Sequence, residues 1–548
     1  MALRNTVELD AAFRTSPFAK IVPRLPLQPG GVDPLGLRQI NLNLMDLALP
    51  GINNVTTIIR PYVMMTWAWW KAGQLVQQKS TKDFPADKFL NIVDRLETVF
   101  IWSHILAKKS EGLPGRLVLG RALPGKGDSK SYSFSDKEWE ALRKDRRANT
   151  SVMSAVQYGP SIRISEGIGW LAPIKGAFRP VDDVMDAVNA FDQSVSQDLP
   201  AALTNLDGGA LTSKRALQLY PKWSSSKPTP TERRVFRALF FEHGKAAKHK
   251  TREFRRYATL ELIRGVLGSA GKPLDADSIR RMMFTCRLAG NKKIHIEAEL
   301  VPAHKCWLAL QARQLQRIGL EALLVWVENE IDQADGCADA PSLYRAAHES
   351  SRLDELVNKN GSVGTYYAAV AALAKPYGWP DAGGLQGEAD IFSLIQEIIE
   401  AQTDEDFDRL PSLALKAIFC SALICETLQK PSTVNLNDLI GGPPDRLPLA
   451  RILAVLKGMA NEKLSALWRE IIESWVLGQH VRWAVARSGD QTQRLRLAID
   501  EGGWVRLRSK RSGPFRPTPD RLNTALSLSA DCGLLKRTAG DPPLFSVT

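Results

Sequence analysis

Four arginines stand in the segment RLRLAIDEGGWVRLRSK: Arg494, Arg496, Arg506 and Arg508. They alternate with Leu495, Leu497, Val505 and Leu507, the two-residue period of a strand whose successive side chains point to opposite faces. The Asp-Glu-Gly-Gly run at 500–503 supplies a turn. The pattern predicts a β-hairpin with an apolar face, to which Ile499 also belongs, and a solvent-facing arginine face. Lys510, Arg511 and Arg516 extend the latter. Guanidinium groups side by side repel each other unless anions neutralise them. Phosphates would do so, each contact releasing condensed counterions, and a two-stranded ribbon can enter a DNA groove. The expectation is that Arg494, Arg496, Arg506, Arg508, Lys510, Arg511 and Arg516 contact duplex DNA through its phosphates, with little base preference. A solvated strand face with no ligand is the competing reading.

No other constellation spells out a reaction. His243-Gly244-Lys245 resembles the start of a phospholipase-D-type motif, which needs an Asp five residues after the Lys; position 250 is Lys. His243 and His249 do not share a helix face, and no acidic ligand stands beside them, so a metal site is not expected there. His304 stands two before Cys306 with no second pair. Glu321 and Glu328 share a helix face, which reads as solvated or salt-bridged. LPGKGDSKS, residues 123–131, lacks the GxxxxGK[ST] spacing of a phosphate loop. GxSxG, HExxH and the spaced carboxylates with Lys of nucleases are missing. The residues call for no metal and no cofactor, and the chain reads as non-catalytic; an active site assembled from distant residues is the alternative. Trp67 and Trp70 of TWAWWK and the preceding Met64 recur at core spacing and read as packing rather than base stacking. None of the six cysteines forms CxxC, so they read as buried thiols.

These residues must be positioned by a large scaffold. A chain of 548 residues exceeds one core, so two to four domains are expected. The formal net charge of +13 is segregated. Residues 222–256 hold eleven Lys and Arg against three acids, residues 482–521 ten against four, and residues 328–408 four against seventeen. Basic fields of this size suit polyanions; the acidic stretch suits either those basic segments or a protein partner. No stretch of about 18 apolar residues announces a membrane span, and no apolar signal core opens the chain, so a cytoplasmic protein without membrane contact is expected.

Helical periodicity dominates. Helices are expected over 56–78, 86–108, 136–148, 252–268, 275–289, 303–333, 389–402, 411–428 and 462–487, with more across 340–375. Residues 1–35 read as extended, and 111–134 as loop with one strand at LVLG. Thr229, Pro230 and Glu232 form a capping box after the linker WSSSKPTP. The expected fold is a mostly α, multi-domain helical protein with a small C-terminal α+β module, loosely like a winged helix. The expected domains are 1–222, 223–440 and 441–548.

Several blocks resemble an uncharacterised bacterial domain-of-unknown-function family encoded in or near phage-defence gene clusters. They are DPLGLRQINLNLMDLALPGINNVTTIIRPYVMMTWAWW, SAVQYGPSIRISEGI, TPTERRVFRALF, QHVRWAVARSG and PTPDRLNTALSLSADCGLL. The family brings no catalytic residues to carry over. Where it shows an acidic-Leu-Gly-Leu ending, this chain has Asp531-Cys532-Gly533-Leu534. The resemblance implies a multi-gene antiphage system of the Druantia type, with other subunits, a large helicase among them, as partners. The expected role is a non-catalytic DNA-binding or scaffold subunit. A nuclease or other effector enzyme with a dispersed active site, and a protein-interaction scaffold using the acidic 328–408 stretch without nucleic acid, are the alternatives.

Overall fold

The computed structural model describes residues 33–79, 86–127, 130–174, 176–351, 361–380, 384–429, 435–488 and 494–548. The Pro/Gly-rich stretch before residue 33 lies outside them. The chain is 63% helical with few short strands, so it is mostly α. It divides into two compact units of interleaved segments. The first takes Met1–Leu44, Phe284–His295 and His304–Thr518; the second takes Met45–Met283, Ile296–Ala303 and Pro519–Thr548. The hairpin and the final helix, Leu522–Asp531, thus fall in different units.

The first unit is organised by helix Val301–Gln333. Trp307, Leu310, Leu315, Ile318, Leu323 and Trp326 are all fully buried, and so are residues on its other faces, as expected of a helix surrounded by protein. Its polar groups are buried too, and buried polar groups must find partners. Arg313 donates to the carbonyls of Leu37, Arg446 and Leu447. Gln314 accepts from Asn41 at 2.8 Å and donates to the Thr518 carbonyl. Glu321 and Glu328 do not lie on a solvated face: both are fully buried, paired with Arg317 at 2.7 Å and Arg496 at 2.6 Å. Burial pushes the Glu321 carboxyl up to about 7. Helix periodicity showed that the two glutamates share a stripe but could not show that protein covers it.

Phe407–Leu428 is long and apolar enough to cross a membrane, but 78% of its apolar window is buried inside the protein. It is a core segment packed against Ile391–Thr403 and Leu449–Gly458.

In the second unit, helix Arg60–Lys79 packs against Ala86–Leu106 and Met185–Val195. Trp67 is buried, and its Nε1 donates to Asp192 at 2.8 Å. Trp70 is half-buried, and Trp69 takes the core position expected of it. The helix is covered on more than one side, so a single stripe under-counts its core. The capping box forms as expected, and Glu232 is also held by Arg60 at 2.8 and 3.0 Å, both groups buried. LVLG is not a strand: it lies in helix Arg116–Ala122, and the local strand is Ser131–Ser133, paired with Ala210–Thr212. Four apolar residues have no periodicity by which to tell the two apart.

Each unit is also cross-braced by one buried neutral histidine. His104 Nδ1 donates to the Phe100 carbonyl at 2.7 Å, and its Nε2 accepts from the Ser225 amide at 2.8 Å. His480 Nδ1 donates to the Pro34 carbonyl at 3.1 Å, and its Nε2 accepts from the Arg496 amide at 3.0 Å. A ring that donates at one nitrogen and accepts at the other is neutral. Burial lowers both rings to about 4.

Candidate nucleic-acid interface

The hairpin forms, with strands Leu497–Asp500 and Gly503–Arg506. Its register overturns the shared arginine face. Leu497 stands opposite Arg506, Ala498 opposite Val505, Ile499 opposite Trp504 and Asp500 opposite Gly503. The loop is therefore two residues long, Glu501 and Gly502, and position i pairs with i+3 across it. Each even-numbered position then faces an odd-numbered one. All four arginines carry even numbers, so the side chains of Arg496 and Arg506 leave opposite faces of the hairpin. Leu497 is buried, while Ile499, expected to point inward, is 72% exposed.

A third strand, Cys337–Ala338, lines the hairpin's other edge, pairing Cys337 with Val505 and Ala338 with Trp504. It follows directly after helix Val301–Gln333 and brings the acidic end of that helix to the arginines. Arg496, 7% exposed, is gripped by Glu328 and donates to the Lys510 carbonyl at 2.8 Å. Arg506 pairs with Asp332 at 2.8 Å. Arg511 donates to Asn329 at 2.6 Å, lies 3.6 Å from Glu405, and stacks on Phe407 at 4.6 Å. Three of the seven expected phosphate contacts are thus spent on acids and amides of the 328–408 stretch.

Of the others, Arg508 is half-buried near Arg496 and Glu328. Arg494 lines a niche beside Trp483. Lys510 and Arg516 are exposed on a strap without regular structure, residues 507–520. The strap is pinned through its backbone. Ser512 donates to Glu328, Phe515 N donates to Gln402 at 2.9 Å, the Arg516 carbonyl accepts from Arg317 at 2.6 Å, and Thr518 N donates to Gln314 at 3.1 Å. These seven residues do not make one surface.

The second basic segment, 222–256, behaves differently. Lys222, Arg234 and Arg237 pair with Asp198, Asp186 and Glu242. Arg252 donates to the carbonyls of Ser165 and Glu166, and buried Arg256 to those of Leu239, Phe240 and Pro50. Lys245, Lys248 and Lys250 are exposed and meet no carboxylate among the described residues. They lie on the short connection between a π-helical turn, Ala238–Glu242, and helix Arg252–Ala270. That connection is well fixed. Arg256 holds the π turn by its carbonyls; Thr251 caps the helix, accepting from Phe254 N at 3.2 Å, and donates to the Lys248 carbonyl at 3.0 Å. Gly244 is packed so closely on helix Arg252–Ala270 that a Cβ would come within 2.4 Å of the Glu253 carbonyl. The segments of the second unit hold 40 Lys and Arg against 29 Asp and Glu, a net +11 of the chain's +13.

Catalytic geometry is thin. Among the described residues no three His, Cys, Asp or Glu gather as metal ligands. Five of the six cysteines are buried, and Cys337 is half-buried. Cys286 Sγ lies 3.0 Å from His304 Nε2, but burial pushes the thiol up to about 12 and the imidazole down to about 4. Both shifts oppose a thiolate–imidazolium pair. A cleft of about 510 Å³ in the second unit holds Asn54, Thr57, Thr150 and Gln157 with a single ionisable group, Arg116.

No protein-family model, no curated protein and no solved structure matches the chain.

Proposed function

We propose that this chain is a non-catalytic, nucleic-acid-binding subunit whose contact surface is the lysine connection of the second unit rather than the arginine hairpin. The observation that carries this reading is the set of exposed ammonium groups of Lys245, Lys248 and Lys250, which meet no carboxylate among the described residues, on a connection fixed by Arg256, Thr251 and Gly244. A fixed backbone beneath the cations spares the cost of ordering a loop when they meet phosphates, and they release counterions from duplex DNA. Lysine acts as a point charge without base discrimination, so binding follows charge more than sequence. The setting, a multi-subunit bacterial antiphage complex with a helicase partner, comes from the family resemblance of the sequence blocks.

The test is a salt titration of binding to unrelated duplexes, read by fluorescence anisotropy. The triple variant Lys245→Glu, Lys248→Glu, Lys250→Glu should bind all of them more weakly. Its log–log salt slope should flatten by about 0.9 for each phosphate no longer neutralised. Parent-like binding of the triple variant at every salt concentration would remove the lysine connection from the interface.

A further inference from the structure

The arginine freed from the hairpin scheme, Arg494, enters a different arrangement in the first unit. A small niche of about 10 Å³ is walled by Asp33, Pro34, Trp483, Ala484, Arg487, Arg494 and Arg496. That volume admits about one oxygen-sized group. Two of its wall residues carry a buried donor with no acceptor among the described residues: Trp483 Nε1 and Arg494 Nε. Both atoms can only donate, so what completes them must be an acceptor. Other arginine Nε and tryptophan Nε1 atoms among the described residues are buried without a partner too, such as those of Arg313 and Trp326; this pair is set apart by sharing the wall of one cavity.

The surroundings favour a negatively charged acceptor. The Arg446 guanidinium lies 4.1 Å from the Trp483 ring centre and that of Arg487 5.6 Å from it. Arg496 is already neutralised by Glu328. The one carboxylate in the wall, Asp33, is engaged by the Leu37 and Arg38 amides at 2.8 and 3.1 Å. Arg446, Arg487 and Arg494 therefore leave an excess of positive charge over Asp33. The Trp483 ring is not open for base stacking, because Gly36 sits so close that a Cβ there would come within 2.3 Å of it. Recognition must therefore go through the ring's N–H edge. Donors from Trp483, Arg494 and Arg487 suit an anion with several oxygens, and an Arg Nε edge grips two such oxygens together.

We propose that this niche is a phosphate-binding site, seating one oxygen of a phosphoryl group on Trp483 Nε1 and Arg494 Nε while Arg487 closes on the oxygens that remain outside. The site is separate from the lysine connection and does not depend on the nucleic-acid reading.

Calorimetric titration of the full chain with inorganic phosphate, at ionic strength held constant with chloride, tests it. One saturable site is expected. Arg494→Gln should weaken it by about tenfold or more, the loss of one charge-assisted hydrogen bond. Trp483→Phe, which keeps an aromatic ring but removes the indole N–H with the pyrrole half, should weaken it by roughly threefold to tenfold. Arg487→Gln, at an exposed position that leaves folding alone, should also weaken it and decides the matter if Arg494→Gln does not fold. The Lys245/Lys248/Lys250→Glu variant should keep the site intact, which separates failure of this proposal from failure of the DNA interface. A parallel titration with a nucleoside monophosphate identifies the source. Tighter binding that Arg494→Gln abolishes points to a nucleotide phosphate; equal binding points to the phosphate group alone. No saturable binding up to roughly 20 mM phosphate, or unchanged affinity in both Arg487→Gln and Trp483→Phe, overturns the proposal.

Discussion

The two basic segments of this chain look alike on paper and differ in the fold. In 482–521 three arginines of the hairpin and its strap are met by acids: Arg496 by Glu328, Arg506 by Asp332 and Arg511 by Glu405. In 222–256 the charges nearest the connection between helices, Lys245, Lys248 and Lys250, meet none among the described residues. Local charge density therefore says little about whether a cation is available. What matters is whether a distant acidic element is folded against it. The acidic stretch 328–408 is in part the counter-charge of the hairpin, and to that extent it is not a surface for a partner protein.

The sharpest way to break this contrast is to remove the hairpin's main anchor. Glu328 is fully buried and holds Arg496 and Ser512. Glu328→Ala should cost about 3–5 kcal/mol in urea unfolding, because it strands a buried guanidinium. A loss under about 1 kcal/mol would mean that the pair is solvated and the hairpin arginines are available after all. Next comes His480, which ties the hairpin to Pro34. Its folded pKa of about 4 lies below the unfolded value of about 6.5, so its contribution is full above pH 6.5 and is lost as pH falls towards 4. The ceiling is about 3 kcal/mol for such a shift. His480→Gln should lower proton uptake on unfolding near pH 5 by about one, read from stability against pH. An unchanged slope would show that the ring is already protonated in the fold.

A smaller effect separates structure from binding. Arg506→Ala removes a partly exposed pair with Asp332 and should cost about 1 kcal/mol or less. It should leave duplex affinity and its salt slope unchanged. A clear drop in affinity would return the hairpin to the interface. The smallest expected stability change is that of the Lys245/Lys248/Lys250→Glu variant, within about 0.5 kcal/mol of the parent, although its loss of DNA binding should be the largest of any variant here. Strong destabilisation would show that those lysines stabilise the second unit instead of meeting phosphates.

Local chemistry made much of this protein legible in its sequence. The apolar repeat over 303–333 appears as helix Val301–Gln333, and the run 411–428 as Leu410–Leu428. Asp136 caps its helix and Thr229 and Glu232 form their box, because those bonds lie within three residues. The hairpin's place was legible from alternation and the Gly turn. Its faces were not: the number of residues in the loop decides whether even positions meet even or odd ones, and a run of Asp-Glu-Gly-Gly permits either. The fate of the arginines was further out of reach, since Glu328 stands 168 positions from Arg496. The strand Cys337–Ala338, two residues long, gave no period to detect. The niche at Trp483 and Arg494 gathers Asp33, Pro34, Ala484, Arg487 and Arg496, with Gly36 and Arg446 against the Trp483 ring, and no spacing announces it. By itself, then, the sequence determined the helices, their caps and the uneven charge, all set by neighbours along the chain. Which cations are neutralised and which still face solvent was decided only by the tertiary structure, because pairing energy depends on distance and burial in space and not on separation along the chain.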